Sequence, residues 1–219
     1  MRTPLTSIRG SLGLIAGTMS NELSETANHL VNIAHQNSER LLVLINDILD
    51  IDKIVSGQMR FNMVRENLND LVKQAAEANK AYADRLNVSF SLSLPEQNPP
   101  VMADASRMVQ VLTNLLSNAA KFSPEGGTVV ISVLNDADKV RVLVRDSGAG
   151  ISDEFKPRIF SKFSQADSSI TRQKGGTGLG LYISKQLIEH MRGTIDFESK
   201  PGQGTTFWIE LPRATALAA

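Results

Sequence analysis

The chain has 219 residues, and its 23 lysines and arginines balance 23 aspartates and glutamates, which removes any electrostatic case for nucleic acid or an anionic membrane surface as a partner. With no cysteine it can hold no disulfide, thiol nucleophile or thiolate metal site, a composition that fits a reducing, cytoplasmic setting. No apolar run approaches the roughly 20 residues of a membrane span, the start Met1-Arg2-Thr3-Pro4 has no signal-peptide pattern, and the length admits two modest domains as readily as one.

The first quarter is patterned for helices that pack on helices. Leu5, Ile8, Leu12, Ile15 and Met19 are spaced three and four apart, a heptad seam. Ser20 to Ser24 reads as a connection, with Ser24 able to cap a second helix whose first turn carries Glu25. Its seam runs through Leu30, Ala34, Asn37, Leu41, Leu44, Ile48, Ile51 and Val55, widened by Leu42, Ile45 and Leu49, and Gly57 is a natural stop. Faces this broad exceed what two helices can bury against each other, so the pattern predicts a four-helix bundle made by two chains. A hairpin folded onto its own domain is the alternative.

From Met59 the periods mix, as in an α/β sandwich. Leu68, Leu71, Val72, Ala75, Tyr82 and Leu86 suggest a helix, and residues 88–94 alternate apolar side chains with serine, a strand with one wet face. A proline-rich break at Pro95 to Pro100 precedes a helix that Asp104 can cap, with Val109, Leu112, Leu115, Leu116 and Ala119 turned inward. Val129, Ile131 and Val133 mark one strand and Val140, Val142 and Val144 the next, with a turn at residues 135–138. A glycine-rich stretch, a helix from about Leu179 to Met191 and two strands over 194–199 and 205–211 complete the pattern.

Four places in this second part carry chemistry. Asn114, Asn118 and Lys121 fall at i, i+4 and i+7 on one helix face, offering amide oxygens that suit Mg²⁺ and an ammonium that suits phosphate, or else a solvated polar stripe. Asp146-Ser147-Gly148-Ala149-Gly150 ends a strand with an acceptor carboxylate and two glycines, fitting a flat ligand with an amino group, although the same letters also make a tight turn. Residues 175–181, with Gly176, Gly178 and Gly180, open a helix and point its amides at an anion. They lack the strand immediately before them that a dinucleotide fingerprint needs. Gly202-Gln203-Gly204-Thr205 can be a ligand loop or a simple hairpin turn.

In order and spacing these pieces resemble the catalytic domain of sensor histidine kinases: residues 110–122 its asparagine box, 146–151 its first glycine box, 160–163 its phenylalanine box, 175–181 its second glycine box and 202–204 the third. The resemblance, with the hairpin included, covers nearly the whole chain. It implies an α+β protein: a dimerising helical hairpin over 1–57, an ATP-binding α/β sandwich over 58–213 with a mixed sheet covered by helices, and a short tail at 214–219. It further implies ATP and Mg²⁺ as ligands, with Asn118 the principal metal ligand, Asn114 beside it and Lys121 facing phosphate. Asp146 would hold the adenine amino group above Gly148 and Gly150, with Thr205 joining through water. Residues 161–177 would be a lid in which Arg172 and Lys174 touch phosphate, Phe160 and Phe163 would anchor its base, and Val55 to Gln58 would be the pivot. Where the family often has glycine before Gly193, this chain has Arg192.

A further departure stands at the start. The family's first helix carries His-Glu, two variable residues, Thr or Asn, then Pro, and residues 1–6 match only the portion after His-Glu. The expectation is that the phosphate-accepting histidine and its acidic neighbour lie upstream, with any membrane anchor and sensor domain, and that these 219 residues bind ATP and form a homodimer without phosphorylating themselves. His29, His35 and His190 lack the acidic neighbour or the placement to replace it. Thr3 keeps the family's role of holding water for removal of phosphate from a response-regulator receiver, the implied partner. An ATP-driven clamp of the same superfamily and a nucleotide-binding scaffold without catalysis are the competing classes, the first opposed by the heptad hairpin.

Overall fold

The computed structural model describes residues 2–165 and 176–214, and these form two compact units, one holding the described residues up to Met59 together with 176–177 and the other the remaining described residues. The first is a helical hairpin. Helix α1 spans Arg2–Thr18 and α2 spans Glu25–Val55, joined by a 3₁₀ turn at Ser20–Glu22. Ser24 caps α2, its Oγ accepting from the Ala27 amide at 3.2 Å. At the other end Gly57 adopts φ +67° and the Gln58 amide turns back to the Lys53 carbonyl at 2.9 Å, so a left-handed glycine stops the helix. The helices approach closely where Gly13 meets His35: a Cβ on Gly13 would stand 3.2 Å from His35 Nε2. Pairing leaves much of the predicted seam open, with Ile8 52%, Leu30 60%, Leu41 50% and Ile48 46% exposed in the single chain. Among the described residues no helix is long and apolar enough to cross a membrane.

The second unit is built on a mixed sheet. Strands β2 (Ser89–Ser93), β4 (Thr128–Asn135), β5 (Lys139–Asp146), β6 (Thr194–Ser199) and β7 (Thr205–Pro212) lie in the order β2-β4-β5-β7-β6. β2 runs parallel to β4, and the other neighbours are antiparallel. Alternation sets the faces. Val129, Ile131, Val133, Val140, Val142, Val144, Phe207, Ile209 and Leu211 are buried beneath helices α3 (Leu68–Arg85), α4 (Ala105–Phe122) and α5 (Gly180–His190). On the opposite face Leu143 stands across from Trp208, and towards one end Glu210 pairs with Lys139 and Arg141, each at 2.7 Å. This α+β arrangement is the one the sequence implies.

Two strands escape the sequence reading. β1 (Val64–Asn67) and β3 (Pro100–Ala103) form a separate antiparallel pair, so the proline-rich break ends in a strand. Each has four residues, too few for alternation to register. β2 is also wetter than its pattern suggests, because it is an edge strand: Leu92, on the helix side, is 42% exposed. On α4, Met108 and Val111 fill the core while Val109 is half-buried. Arg192 adopts φ +60°, a left-handed conformation that explains why glycine suits this turn.

Candidate functional site

Asp104 positions the helix that carries the two asparagines. Its Oδ1 accepts from Ser106 Oγ at 2.7 Å and from the Arg107 amide at 3.1 Å, while Oδ2 accepts from the Asn62 amide at 2.9 Å. Burial works against its charge, but these bonds outweigh it and hold the carboxyl below the ordinary aspartate range. Further along the same helix, Asn118 Nδ2 donates to Asn114 Oδ1 at 3.3 Å, and Asn114 Nδ2 donates to Ser184 Oγ on α5 at 3.0 Å. This chain of donors commits the Asn118 amide nitrogen to protein and leaves its carbonyl oxygen for a hard cation, so the donor chemistry fits Mg²⁺. Clusters of three or more His, Cys, Asp or Glu capable of holding a metal are absent among the described residues. Gly180 is required where it stands, since a Cβ would collide with Asn114 Oδ1. Lys121 places its ammonium 4.8 Å from the Phe122 ring centroid, at the end of α4.

A second cluster forms where β5 and β7 end side by side, with Asp146 and Thr205 paired in register. Asp146 is 7% exposed, and its Oδ1 accepts from the amides of Gly148 at 2.8 Å and Thr205 at 3.2 Å. Burial pushes the carboxyl above its ordinary range, against the pull of those two amides. Both bonds fall on one oxygen, which leaves Oδ2 to accept from a ligand. The glycines keep this floor thin. A Cβ on Gly148 would strike the Phe122 carbonyl, one on Gly150 (φ +73°) the Lys200 carbonyl, and one on Gly204 (φ +81°) the Asp146 carbonyl. The Gly148 contact also ties this cluster to the end of α4.

The third feature is the start of α5. Leu179 precedes it without a side-chain cap, and Gly178 takes φ +70° with its Cβ position 2.8 Å from the Phe163 backbone. A glycine-rich helix start of this kind is the type of site that suits an anionic oxygen. Gly176 is exposed. Arg172 and Lys174, with most of the predicted lid, lie outside the described residues. Phe160 is packed edge-on to Phe197 and Phe207, at 6.0 and 6.5 Å, whereas Phe163 is 64% exposed with φ +58°, so of the two it is Phe160 that packs into an aromatic cluster among the described residues. Thr3 is exposed on α1, in the other unit, and His190 is occupied in stacking on Phe61 at 5.2 Å.

Sequence reasoning missed Ser184 and Ser199. Ser199 Oγ accepts from the Ile151 amide at 2.9 Å, donates to the Gly204 carbonyl at 3.0 Å and lies 2.9 Å from Thr205 Oγ1. A serine ending a strand is an ordinary letter, and its partners are up to 48 residues away.

Comparison with known proteins identifies the family. Residues 103–215 match the family model described as histidine kinase-, DNA gyrase B- and HSP90-like ATPase, and residues 1–57 match that of the His kinase A (phospho-acceptor) domain. The chain is 37% identical over 219 residues to the circadian input-output histidine kinase CikA of Synechococcus elongatus, covering 99% of this chain and 29% of that protein. It is 39% identical over 219 residues to the sensor histidine kinase GacS of Pseudomonas protegens, covering 96% of this chain and 23% of that one. The chain therefore spans about a quarter of the length of the curated relatives it matches. The crystal structure of full-length ShkA in complex with AMPPNP superposes with a TM-score of 0.79 at 30% identity, over 99% of this chain and 44% of that one.

Proposed function

Since the chain belongs to the sensor histidine kinases of two-component signalling, we propose that it is the ATP-binding and dimerisation core of such a kinase, transferring the γ-phosphoryl group of ATP to a histidine and then to a response-regulator aspartate. The observation that carries the nucleotide assignment is the buried Asp146 carboxylate, with Oδ1 saturated by two backbone amides and Oδ2 left as an acceptor above a floor of glycines. An adenine amino group is the complementary donor. The AMPPNP bound to ShkA supports the same reading.

In this proposal Asp146 and Thr205 hold the base and Gly148 and Gly150 admit its plane. The amides of Gly178 and Gly180 would face the phosphates, with Lys121 at the end of α4 as the cation. Asn118, oriented by Asn114, would hold Mg²⁺, which when bound neutralises phosphate charge during transfer. The imidazole attacks in line: a P–N bond forms as the P–O bond to ADP breaks, and the imidazole proton passes to the acid beside the histidine. Thr3 would orient water for the phosphate-removing reaction on the regulator. The open seam of Ile8, Leu30, Leu41 and Ile48 supports a homodimer.

The decisive experiment compares two chains with radiolabelled ATP. Residues 1–219 alone should bind ATP and stay unlabelled, while a chain extended by His-Glu and further helical residues ahead of Met1 should gain acid-labile phosphate and pass it to a receiver aspartate. Acid-labile label on His29, His35 or His190 would overturn the assignment of the acceptor. An extended chain that binds ATP and never labels would instead favour a nucleotide-binding scaffold.

A further inference from the structure

The hydroxyl of Ser199 has one proton and three polar neighbours. The Ile151 amide can only donate to it and the Gly204 carbonyl can only accept from it, at 2.9 and 3.0 Å. Geometry allows either hydroxyl to donate in the remaining contact, 2.9 Å to Thr205 Oγ1; placing the Ser199 proton on Gly204, which can only accept, assigns the donor role to threonine. Thr205 is 6% exposed, and its amide is already committed to Asp146 Oδ1 at 3.2 Å. Its hydroxyl proton therefore points into protein, leaving only lone pairs for a ligand. Asp146 Oδ2 on the paired strand is likewise an acceptor.

We propose that Ser199 is a specificity-setting positioning residue: by fixing the direction of the Thr205 hydroxyl, it makes the pocket offer acceptors alone to the six-position of a purine, selecting a 6-amino over a 6-oxo base. The inference rests on Asp146 and Thr205 being the base pocket. Two acceptors match the two hydrogens of an exocyclic amine and repel a carbonyl oxygen. Without the serine hydroxyl, Thr205 is free to rotate and donate to that carbonyl.

The test is the ratio of dissociation constants for ATP and ITP, measured by competition calorimetry on the 219-residue chain and its variants. The parent should prefer ATP. Ser199→Ala should lower that preference about tenfold, the effect of one neutral hydrogen bond reversed in sense, and Ser199→Thr, which keeps a hydroxyl, should retain it. A purely structural role would weaken both nucleotides in proportion and leave the ratio unchanged, which overturns the inference. Should Ser199→Ala fail to fold, Thr205→Val supplies the second reading: removing the oriented acceptor should also shrink the preference, and an unchanged ratio again overturns it. A parent that binds neither nucleotide would defeat the base-pocket assignment itself and this inference with it, whereas an unchanged ratio in a parent that binds ATP defeats this inference alone.

Discussion

Asp146→Asn isolates the chemistry of the base pocket from its architecture. An asparagine side chain has the shape of aspartate, so its Oδ1 can keep accepting from the amides of Gly148 and Thr205, at 2.8 and 3.2 Å in the parent. Nδ2 then occupies the place of Oδ2, and a donor faces the amino donor of adenine. A charge-assisted hydrogen bond of about 1.5–3 kcal/mol is lost, and a desolvated, unpaired donor costs about 1–3 kcal/mol more. Together these come to about 2.5–6 kcal/mol, or roughly two to four and a half decades in Kd. The fold should scarcely notice. Burial already disfavours the ionised Asp146, so a neutral amide relieves a cost and the melting temperature should hold or rise. Titration calorimetry with ATP and thermal unfolding without it, on the same samples, separate the two effects. Equal ATP affinity in variant and parent would remove Asp146 from the site, and a melting temperature that falls in step with affinity would show that the residue's role is structural.

Acidification should weaken ATP binding as pH falls through the raised value of Asp146, above the ordinary aspartate value of about 3.9, and Asp146→Asn should flatten that response. Because the folded value is raised, the same protonation stabilises the nucleotide-free domain, so stability and affinity should move in opposite directions across that window. Asp104→Ala should cost about 2–3 kcal/mol by removing the helix cap and the Asn62 tie, read as a drop in melting temperature of about 4–12 °C. Its depressed folded value means this contribution is present above the ordinary aspartate value and is lost as pH falls through the depressed one, so parent and variant should converge in acid. Leu41→Asp with Ile48→Asp should convert a micromolar dimer to monomers in light scattering while circular dichroism keeps its helical signal, since both side chains are about half exposed in the single chain. A parent that is monomeric would defeat the bundle.

The elements legible in the sequence were those specified locally. Ser24, Gly57 and Asp104 act at helix ends where the residue type itself satisfies or reverses the backbone, and the alternation in β4 and β5 follows from a sheet with one buried face. Asp146 and Asn118 stood out because a carboxylate before glycines and an amide at helical spacing carry chemistry in their spacing. Ser184 and Ser199 did not, because their meaning lies in partners 70 and 48 residues away. β1 and β3 stabilise each other across a long separation and are too short to declare themselves alone. Phe163 shares its box with Phe160, yet Phe160 is the one that meets aromatic neighbours, a distinction that depends on where β6 and β7 pass.

The register that sets Asp146 opposite Thr205 joins the fifth strand of the domain to its seventh, 59 residues later. On a ribosome, a nascent chain that has released everything through α5 still has half a pocket: the carboxylate is in place and the amide of Thr205, which completes its shell, is not. A ligand that needs both groups would therefore stabilise only the domain in which β5 and β7 have paired. A ligand held by both residues would favour domains in which β7 has docked in register over those in which it has slipped by one residue.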